Sequence, residues 1–516
     1  MRMPWNPLLG VHLRLSGTPR THVTMVVVFV LLAGIGATIS YRAAPPREWG
    51  SVSAFWLGIV SAAQAFFLLL MTPGAIRKAV LRDFQTGMIE SHRLSPMSAA
   101  KVVLGYVTGP PVQSYVLYAT SLVIGGVFAA HYANSTGTGL VVTGWYAGQA
   151  ILIIQALALT SLVLIIALTT SGKTNLLGPL IAISAVSGWQ ILPLVPGMAL
   201  LLGVFSAQRI FSIVTASKFA VTGGGGGSGD IVMVIAPVLQ LVLAAICLRA
   251  SARKIRSPEG PPFASGLALC LAVFWATTSI IGLTWADVST WFFARETSIR
   301  YPQLLLSTAS IFVMSQFAVV AGAFELMISD RKRALGEPIS KASRVAHWLM
   351  PLALAGITIA ALAIMLLGMP TLPMSRPLAD GDPARWAMVF AAFVLGYVID
   401  FSRAYAAALR GGRLIWPTLF SLSIKFGPIG IDALMNAVAM EANPSRDFAF
   451  TWLSACSPIG IILCVSNPAL MATGLAVQAG LAAGFAALAW AAHNRFKKAP
   501  VTFESSRPAR PAAARA

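Results

Sequence analysis

The chain has 516 residues, of which 57% are hydrophobic and only 10% charged, where an ordinary soluble domain carries about 25% charged residues. That balance excludes a soluble globular protein and predicts an all-α polytopic membrane protein. The net charge of +20 would point to nucleic acid in a soluble chain. Here the basic residues gather in short loops at one membrane face, so no nucleic-acid partner is expected.

The first 22 residues contain Arg2, Arg14 and Arg20 but no cleavage pattern ending in small residues, so the first apolar stretch is expected to remain as a span. Runs of about 20 apolar residues, each long enough for a ~30 Å hydrocarbon core, mark twelve spans: 23–41, 53–73, 103–130, 143–169, 176–204, 231–249, 264–285, 303–327, 347–369, 386–402, 414–436 and 473–492. With the N-terminus inside, most of the 37 lysines and arginines fall in cytoplasmic segments, and the reverse orientation inverts the bias. Both termini are therefore expected in the cytoplasm of a cell with a plasma (inner) membrane holding this multi-pass chain.

Loop chemistry divides the spans into two six-helix halves. The basic, Pro-containing stretch Arg249 to Pro262 is the natural boundary, giving a first half at 1–256, a cytoplasmic linker at 257–262, a second half at 263–495 and a basic, Pro/Ala-rich tail at 496–516 that is expected to be disordered. Each half has a long outer connection before its sixth span, 205–230 and 437–472, and the run Gly223–Gly227 reads as flexible linker. The halves repeat in topology and not residue by residue.

The outer segment 453–466 is apolar but too short to cross, and Pro458 and Asn467-Pro468 punctuate it. Stretches of this length suit short re-entrant or interfacial helices, and 205–221 is the candidate counterpart in the first half. Cys456 and Cys464 lie in this segment and can pair if it folds back. With Cys247 and Cys270 they form no Cys-x-x-Cys motif, and the six histidines are scattered, so no metal site is expected.

One polar island interrupts the first half, at 81–105 between the second and third spans. Ile76, Val80, Phe84 and Met88 recur every four residues with Arg77, Lys78, Arg82 and Gln85 on other faces, which predicts an amphipathic helix along the inner interface. Ser95-Pro96 reads as the start of the next helix, with Ser as N-cap and Pro in the first position. Gly109-Pro110-Pro111 should kink or interrupt the third span. An interfacial helix that only anchors its span fits the same pattern.

The wording of this island resembles the cytoplasmic coupling region of type-2 ABC exporter permeases, in which a Gly-Thr-Leu-Glu-like stretch precedes Leu-Ser-Pro and Val-Leu-Gly-Lys. This chain has Thr86-Gly87-Met88-Ile89-Glu90, Leu94-Ser95-Pro96 and Val103-Leu104-Gly105-Tyr106, departing at Tyr106. Asn6-Pro7-Leu8-Leu9 is similar to that family's opening, with Val11 and His12 replacing the usual charged residues and Arg14 kept. The C-terminal segment 453–498 is similar in layout only.

The resemblance implies a permease that does no covalent chemistry and is gripped at its inner helix by separate ABC ATPase subunits, in two copies, which hold the ATP and Mg. It puts the polar ATPase contacts at Arg82, Glu90 and Arg93, with Phe84 and Met88 for packing. The second-half counterpart is Ser329 to His347, with Arg331, Lys332, Arg333, Glu337, Lys341 and Arg344 but no Leu-Ser-Pro. Two fused six-span units can form the full transmembrane unit alone, and dimerisation is the alternative.

An internal ATPase is excluded: Ser171-Gly172-Lys173-Thr174 ends like a phosphate-binding loop, but Ala167 stands where the motif needs Gly and no strand precedes it. Charges inside spans are functional candidates because burying them is costly. The first half has none and the second has Glu325, Asp400, Lys425 and Asp432. Glu325 and Asp400 are expected near inner ends, snorkelling to water. Lys425 and Asp432 share a helix face about two turns apart, as a structural pair or as a candidate translocation path. That leaves an ion-coupled secondary transporter of six-plus-six topology as the rival reading. No paired carboxylates, metal cluster or activated nucleophile points to an enzyme.

Overall fold

The computed structural model describes residues 10–11, 18–137, 140–170, 228–258, 260–285, 300–334, 336, 341–367, 382–410, 415–442 and 450–498. Among the described residues all regular structure is helical, and ten helices are long and apolar enough to cross a membrane. A bilayer core offers no water to backbone N–H and C=O groups, so a spanning segment must satisfy them internally. The ten coincide with ten of the predicted spans, and the chain is an all-α polytopic membrane protein. The predicted span 176–204 lies outside the described residues, as do 171–174, 205–221, the Gly223–Gly227 run, Glu337 and the tail beyond Lys498.

By contact the chain divides into two compact units: Met1–Ala321 with Gly356–Pro383, and Gly322–Ala355 with Ala384–Ala516. These interleave along the chain and are a different division from the consecutive halves drawn from loop charge.

The first unit opens with α1 (Pro19–Ala43), started by Thr18, whose hydroxyl accepts from the Thr21 N–H at 3.3 Å, with Pro19 in the first position. The helix α2 (Trp49–Ala65) runs without a break through a π-turn at Phe66–Met71 into α3 (Thr72–Gln85). Pro73 cannot donate to the carbonyl four residues back, and the backbone answers with the wider turn: the Thr72 N–H and its hydroxyl (3.0 Å) both reach the Phe67 carbonyl. After α4 (Met88–Leu94) and α5 (Ala99–Thr108) come α6 (Val112–Thr136), α7 (Leu140–Thr170), α8 (Ser228–Arg256) and α9 (Ser265–Ile280).

The stripe predicted for an interfacial helix turns inward instead. Ile76, Ala79 and Val80 of α3 are buried against Val102 and Tyr106 of α5, Leu164 and Leu168 of α7, and Ile255 of α8. The apolar repeat continues the second span; protein covers it, and periodicity alone does not distinguish a membrane surface from a neighbouring helix. The stripe ends at Gly87, whose φ of +72° is the left-handed region that favours glycine, so Met88 belongs to a new helix. Ser95 closes α4, its hydroxyl on the His92 carbonyl at 2.9 Å, and Ser98 is the N-cap that starts α5. The Gly109-Pro110-Pro111 interruption separates α5 from α6 as expected. Pro111 has no N–H for the Val107 carbonyl, and the Tyr115 hydroxyl donates to it at 2.8 Å in its place.

The second unit takes the end of α10 (Arg300–Ala334), α11 (Lys341–Trp348), the start of α12 (Met350–Leu367), α13 (Pro383–Leu409), α14 (Ile415–Ala442) and α17 (Pro468–Lys498). Between α14 and α17 the predicted short outer helices are two single turns, α15 (Trp452–Ala455) and α16 (Gly460–Leu463). Every residue from Ser454 to Val465 is buried. Two glycines make that seating possible: a Cβ on Gly460 would collide with the Ser454 carbonyl, and one on Gly474 with the Ala455 carbonyl.

Candidate functional site

The long helices carry a cluster of buried charge in the second unit. Helix α13 is 27 residues long, so at 1.5 Å per residue Asp400 lies about 14 Å from its C-terminal end. It is therefore mid-helix and 4% exposed, and does not snorkel to water at an inner end. Its carboxylate pairs with the Lys425 ammonium of α14, which is 2% exposed. Isolated, either charge would be far too costly at this burial; together, each supplies what the other lost from water. Arg403, three residues beyond Asp400 in α13, is also buried and lies with its guanidinium 5.3 Å over the Phe485 ring of α17. A cavity of 10 Å³ opens among Asp400, Arg403, Lys425, Cys456, Pro458 and Gln478.

Asp432 is not the partner of Lys425. It is fully buried and accepts from the Thr451 N–H at 2.7 Å, the Ser454 hydroxyl at 2.6 Å and the Asn436 amide at 3.5 Å. It thus ties α15, which Thr451 caps with its hydroxyl on the Leu453 N–H at 3.2 Å, to α14. Two further bonds hold the segment: the Ser457 hydroxyl donates to the Lys425 carbonyl at 2.6 Å, and the Gln478 amide of α17 to the Ala455 carbonyl at 2.9 Å. Cys456 and Cys464 are free thiols, directed at the carbonyls of Trp452 (3.3 Å) and Thr451 (3.7 Å). Burial raises the Cys456 thiol above its ordinary value, and burial with Asp432 and Cys456 nearby pushes Cys464 up to about 11. Both stay protonated and unreactive near neutrality.

The stretch from α3 to α5 in the first unit is held by a carboxylate absent from the predicted site. Asp83 falls one turn after Val80 on the buried stripe and is 1% exposed. It accepts the Tyr106 hydroxyl at 2.6 Å, and His92 Nε2 of α4 stands 3.5 Å from the same oxygen. Tyr106 thus has a task as the hydroxyl donor to this buried carboxylate. The signal in the sequence was a lone acid in phase with Ile76 and Val80, an apolar face that has no use for a charge without a partner.

Among the predicted residues, Arg93 turns toward α8, donating to the Ile255 carbonyl at 3.2 Å and pairing with Glu90. Arg82 stands 3.8 Å from Asp83, and Phe84 and Met88 are half-buried. Glu90 is exposed, and beside it Leu94 is 87% exposed, the most open large apolar residue described in α4. The linker is organised from α8: the Lys254 ammonium donates to the Pro258 carbonyl at 2.6 Å and the Gly260 carbonyl at 3.0 Å.

In the second unit Arg331, Lys332 and Arg333 are exposed at the end of α10, Arg331 lying 6.0 Å over the Phe496 ring. The residue beside them, Asp330, is buried; it accepts from Arg344 of α11 at 2.9 Å and from the Tyr405 hydroxyl, which also meets His493 Nδ1 at 2.7 Å. Each unit thus closes an Asp, a Tyr and a His around one helix end. Glu325 faces His347 at 3.9 Å. Among the described residues no group of three His, Cys, Asp or Glu side chains is placed to hold a metal ion.

No protein-family model, no curated protein and no solved structure matches this chain.

Proposed function

We propose that this chain is the permease of an ATP-driven exporter of the type-2 ABC class, with twelve spans in two six-helix halves and both termini in the cytoplasm. A separate ATPase, in two copies and carrying ATP and Mg, engages it at inner coupling helices and drives a substrate across the plasma membrane. The chain itself has no catalytic site in this reading, its surroundings are membrane lipids, and its outer segment 450–467 is re-entrant.

The observation that carries the reading is the seating of α4. A short helix that must transmit force cannot be loosely hung, and α4 is fixed at both edges, by the Asp83, Tyr106 and His92 cluster and by Arg93 on the Ile255 carbonyl. Its free edge presents Glu90 and Leu94, a charge beside an apolar knob, within the words that resemble the family's coupling region. Arg82, Phe84 and Met88 are the next contacts, and Arg331, Lys332, Arg333 and Glu337 are the candidates in the second half.

The test is co-purification with an ATPase subunit and ATP turnover by the complex. Leu94→Glu should abolish both while thermal unfolding stays unchanged, because this side chain is 87% exposed and does not pack against the body. Retained binding in that variant sinks the coupling role.

The Asp400–Lys425 pair supports the second reading, an ion-coupled transporter, since such sites lie mid-membrane beside broken helices, and α15 and α16 are short turns packed against α14. Transport that survives without any ATPase but is lost in Asp400→Asn decides for it.

A further inference from the structure

Helix α11 leaves one face open, and that face is apolar. Val345, Trp348, Leu349 and Leu352 follow the i, i+3, i+4, i+7 spacing of a single helix face, and all four are exposed. The stripe runs from α11 into α12, a helix long and apolar enough to span. It is unbroken because the Leu349 N–H donates to the Val345 carbonyl and the Ala353 N–H to the Leu349 carbonyl, both at 3.0 Å. The polar face is committed to α10, through Arg344 on Asp330 at 2.9 Å and His347 at 3.9 Å from Glu325. Polar side chains thus turn to the protein and apolar ones away from it, the reverse of a surface covered by water.

On a spanning helix an outward apolar face meets hydrocarbon. Val345 lies about 10 Å farther along the axis than Leu352, and a headgroup zone is roughly 5–7 Å deep, so the stripe reaches from acyl chain into headgroup. Tryptophan favours this depth. Trp348, 54% exposed, has its protein side against Phe401 and Tyr405, with ring centroids 5.6 and 6.1 Å away. Beyond Tyr405 the rings continue through His493 to Trp490 of α17, 66% exposed. Two open indoles bracket one row of rings.

The exposed charge described here is of one sign. Arg331, Lys332 and Arg333 are exposed at the end of α10 and Arg495 near the end of α17, with Arg331 6.0 Å over the Phe496 ring. The acids described beside them, Asp330 and Glu325, face Arg344 and His347. Cations clustered beside an apolar helix face at headgroup depth attract anionic lipid.

We propose that this end of the second unit, α11 with the ends of α10 and α17, binds an anionic phospholipid, its headgroup on the exposed cations and its acyl chains along the Val345–Leu352 stripe. The inference goes beyond the exporter reading, which names Arg331, Lys332 and Arg333 as ATPase contacts. The continuous apolar stripe favours lipid, and the experiment separates the two.

The full chain is reconstituted in phosphatidylcholine nanodiscs, into which either phosphatidylglycerol or more phosphatidylcholine is titrated with bromines in its acyl chains. Bromine quenches the tryptophans it touches, and the quenching curves give relative affinities. Phosphatidylglycerol should quench more at the same fraction, and Trp348→Phe with Trp490→Phe should remove at least half of the difference. Arg331→Gln, Lys332→Gln and Arg333→Gln together should lower the preference for phosphatidylglycerol at least about tenfold, since each Lys or Arg near an anionic surface contributes roughly fivefold. Equal quenching by the two lipids overturns the proposal, and so does a difference that survives the loss of both tryptophans. If Trp348→Phe disturbs its seat on Phe401 and Tyr405, Trp490→Phe alone reads the same difference at α17. ATPase co-purification lost in the charge variant with an unchanged lipid preference gives the cations to the ATPase and overturns it likewise. A native chain that brings down no ATPase bears on the exporter reading alone.

Discussion

Lys425 of α14 is bonded to Asp400 of α13 and not to Asp432 in its own helix. Asp400 and Asp432 therefore do different things. Asp400 neutralises a buried cation and borders a cavity, while Asp432 holds the turn at 451–454 in place. A substitution at Asp400 tests the buried pair; one at Asp432 tests the seating of the 450–467 segment.

Removing one member of a buried ion pair leaves the other as an uncompensated charge, at a cost of about 3–5 kcal/mol, whereas removing both can be close to neutral. Lys425→Met should therefore destabilise the chain severely, and Lys425→Met with Asp400→Leu should recover a large part of that loss. Arg403, which also draws on Asp400, keeps its place over Phe485. Unfolding in detergent micelles across the four members of the cycle reads the coupling. Strictly additive losses would mean that the pair is not formed.

Asp432→Asn keeps the volume but gives up the charge that draws in the Thr451 N–H and the Ser454 hydroxyl. Bonds to a charged acceptor contribute about 1.5–3 kcal/mol each, and this loss is local to the 450–467 segment. Amide exchange at 451–457 should speed up at least tenfold, with exchange in α7 and α8 unchanged. An unaltered exchange pattern would remove Asp432 from its holding role.

Tyr106→Phe deletes one hydroxyl from the base of α4 and leaves Asp83 buried with one bond fewer, at a cost of about 1–3 kcal/mol. The distinctive outcome lies in the partner helix. α4 should loosen, seen as protease cleavage between Gly87 and Ser98, while the break at 109–111 stays closed because Tyr115 holds it independently. Tyr106→Phe with Asp83→Asn should restore part of the protection, since the buried charge that demanded the hydroxyl is then gone. Equal cleavage in all three proteins would refute the lock.

Spans were legible in the sequence because a bilayer admits little besides long apolar helices: the runs at 143–169 and 264–285 can hardly be anything else. The interruption at 109–111 was legible because two prolines remove two donors. What was hidden is which face meets what. Ile76 and Val80 have the period of an interfacial helix, and only the presence of α5, α7 and α8 against them makes that face a protein interior. The pairing of Lys425 was hidden for the same reason: spacing along one helix offers Asp432, and the true partner comes from α13. Asp83, absent from the predicted site, did carry a readable signal, an acid in phase with an apolar stripe, and Arg82 beside it was the more conspicuous choice.

Cys464 gives a pH test of the 450–467 segment. Burial, with Asp432 and Cys456 beside it, pushes its thiol up to about 11, against an ordinary value near 8.5. Only the thiolate alkylates, so the rate with iodoacetamide should still climb about tenfold per pH unit at pH 9 and level off only near 11. Between those values the folded chain keeps a proton that the unfolded chain has released. The thiol's contribution to stability is therefore full below the unfolded value and is lost as pH rises through about 11. Cys464→Ser should flatten that part of the stability profile. Asp432→Asn, by removing one source of the shift, should bring the plateau in the alkylation rate to lower pH. A native rate that levels off near pH 9 would mean that Cys464 is not enclosed beside Asp432.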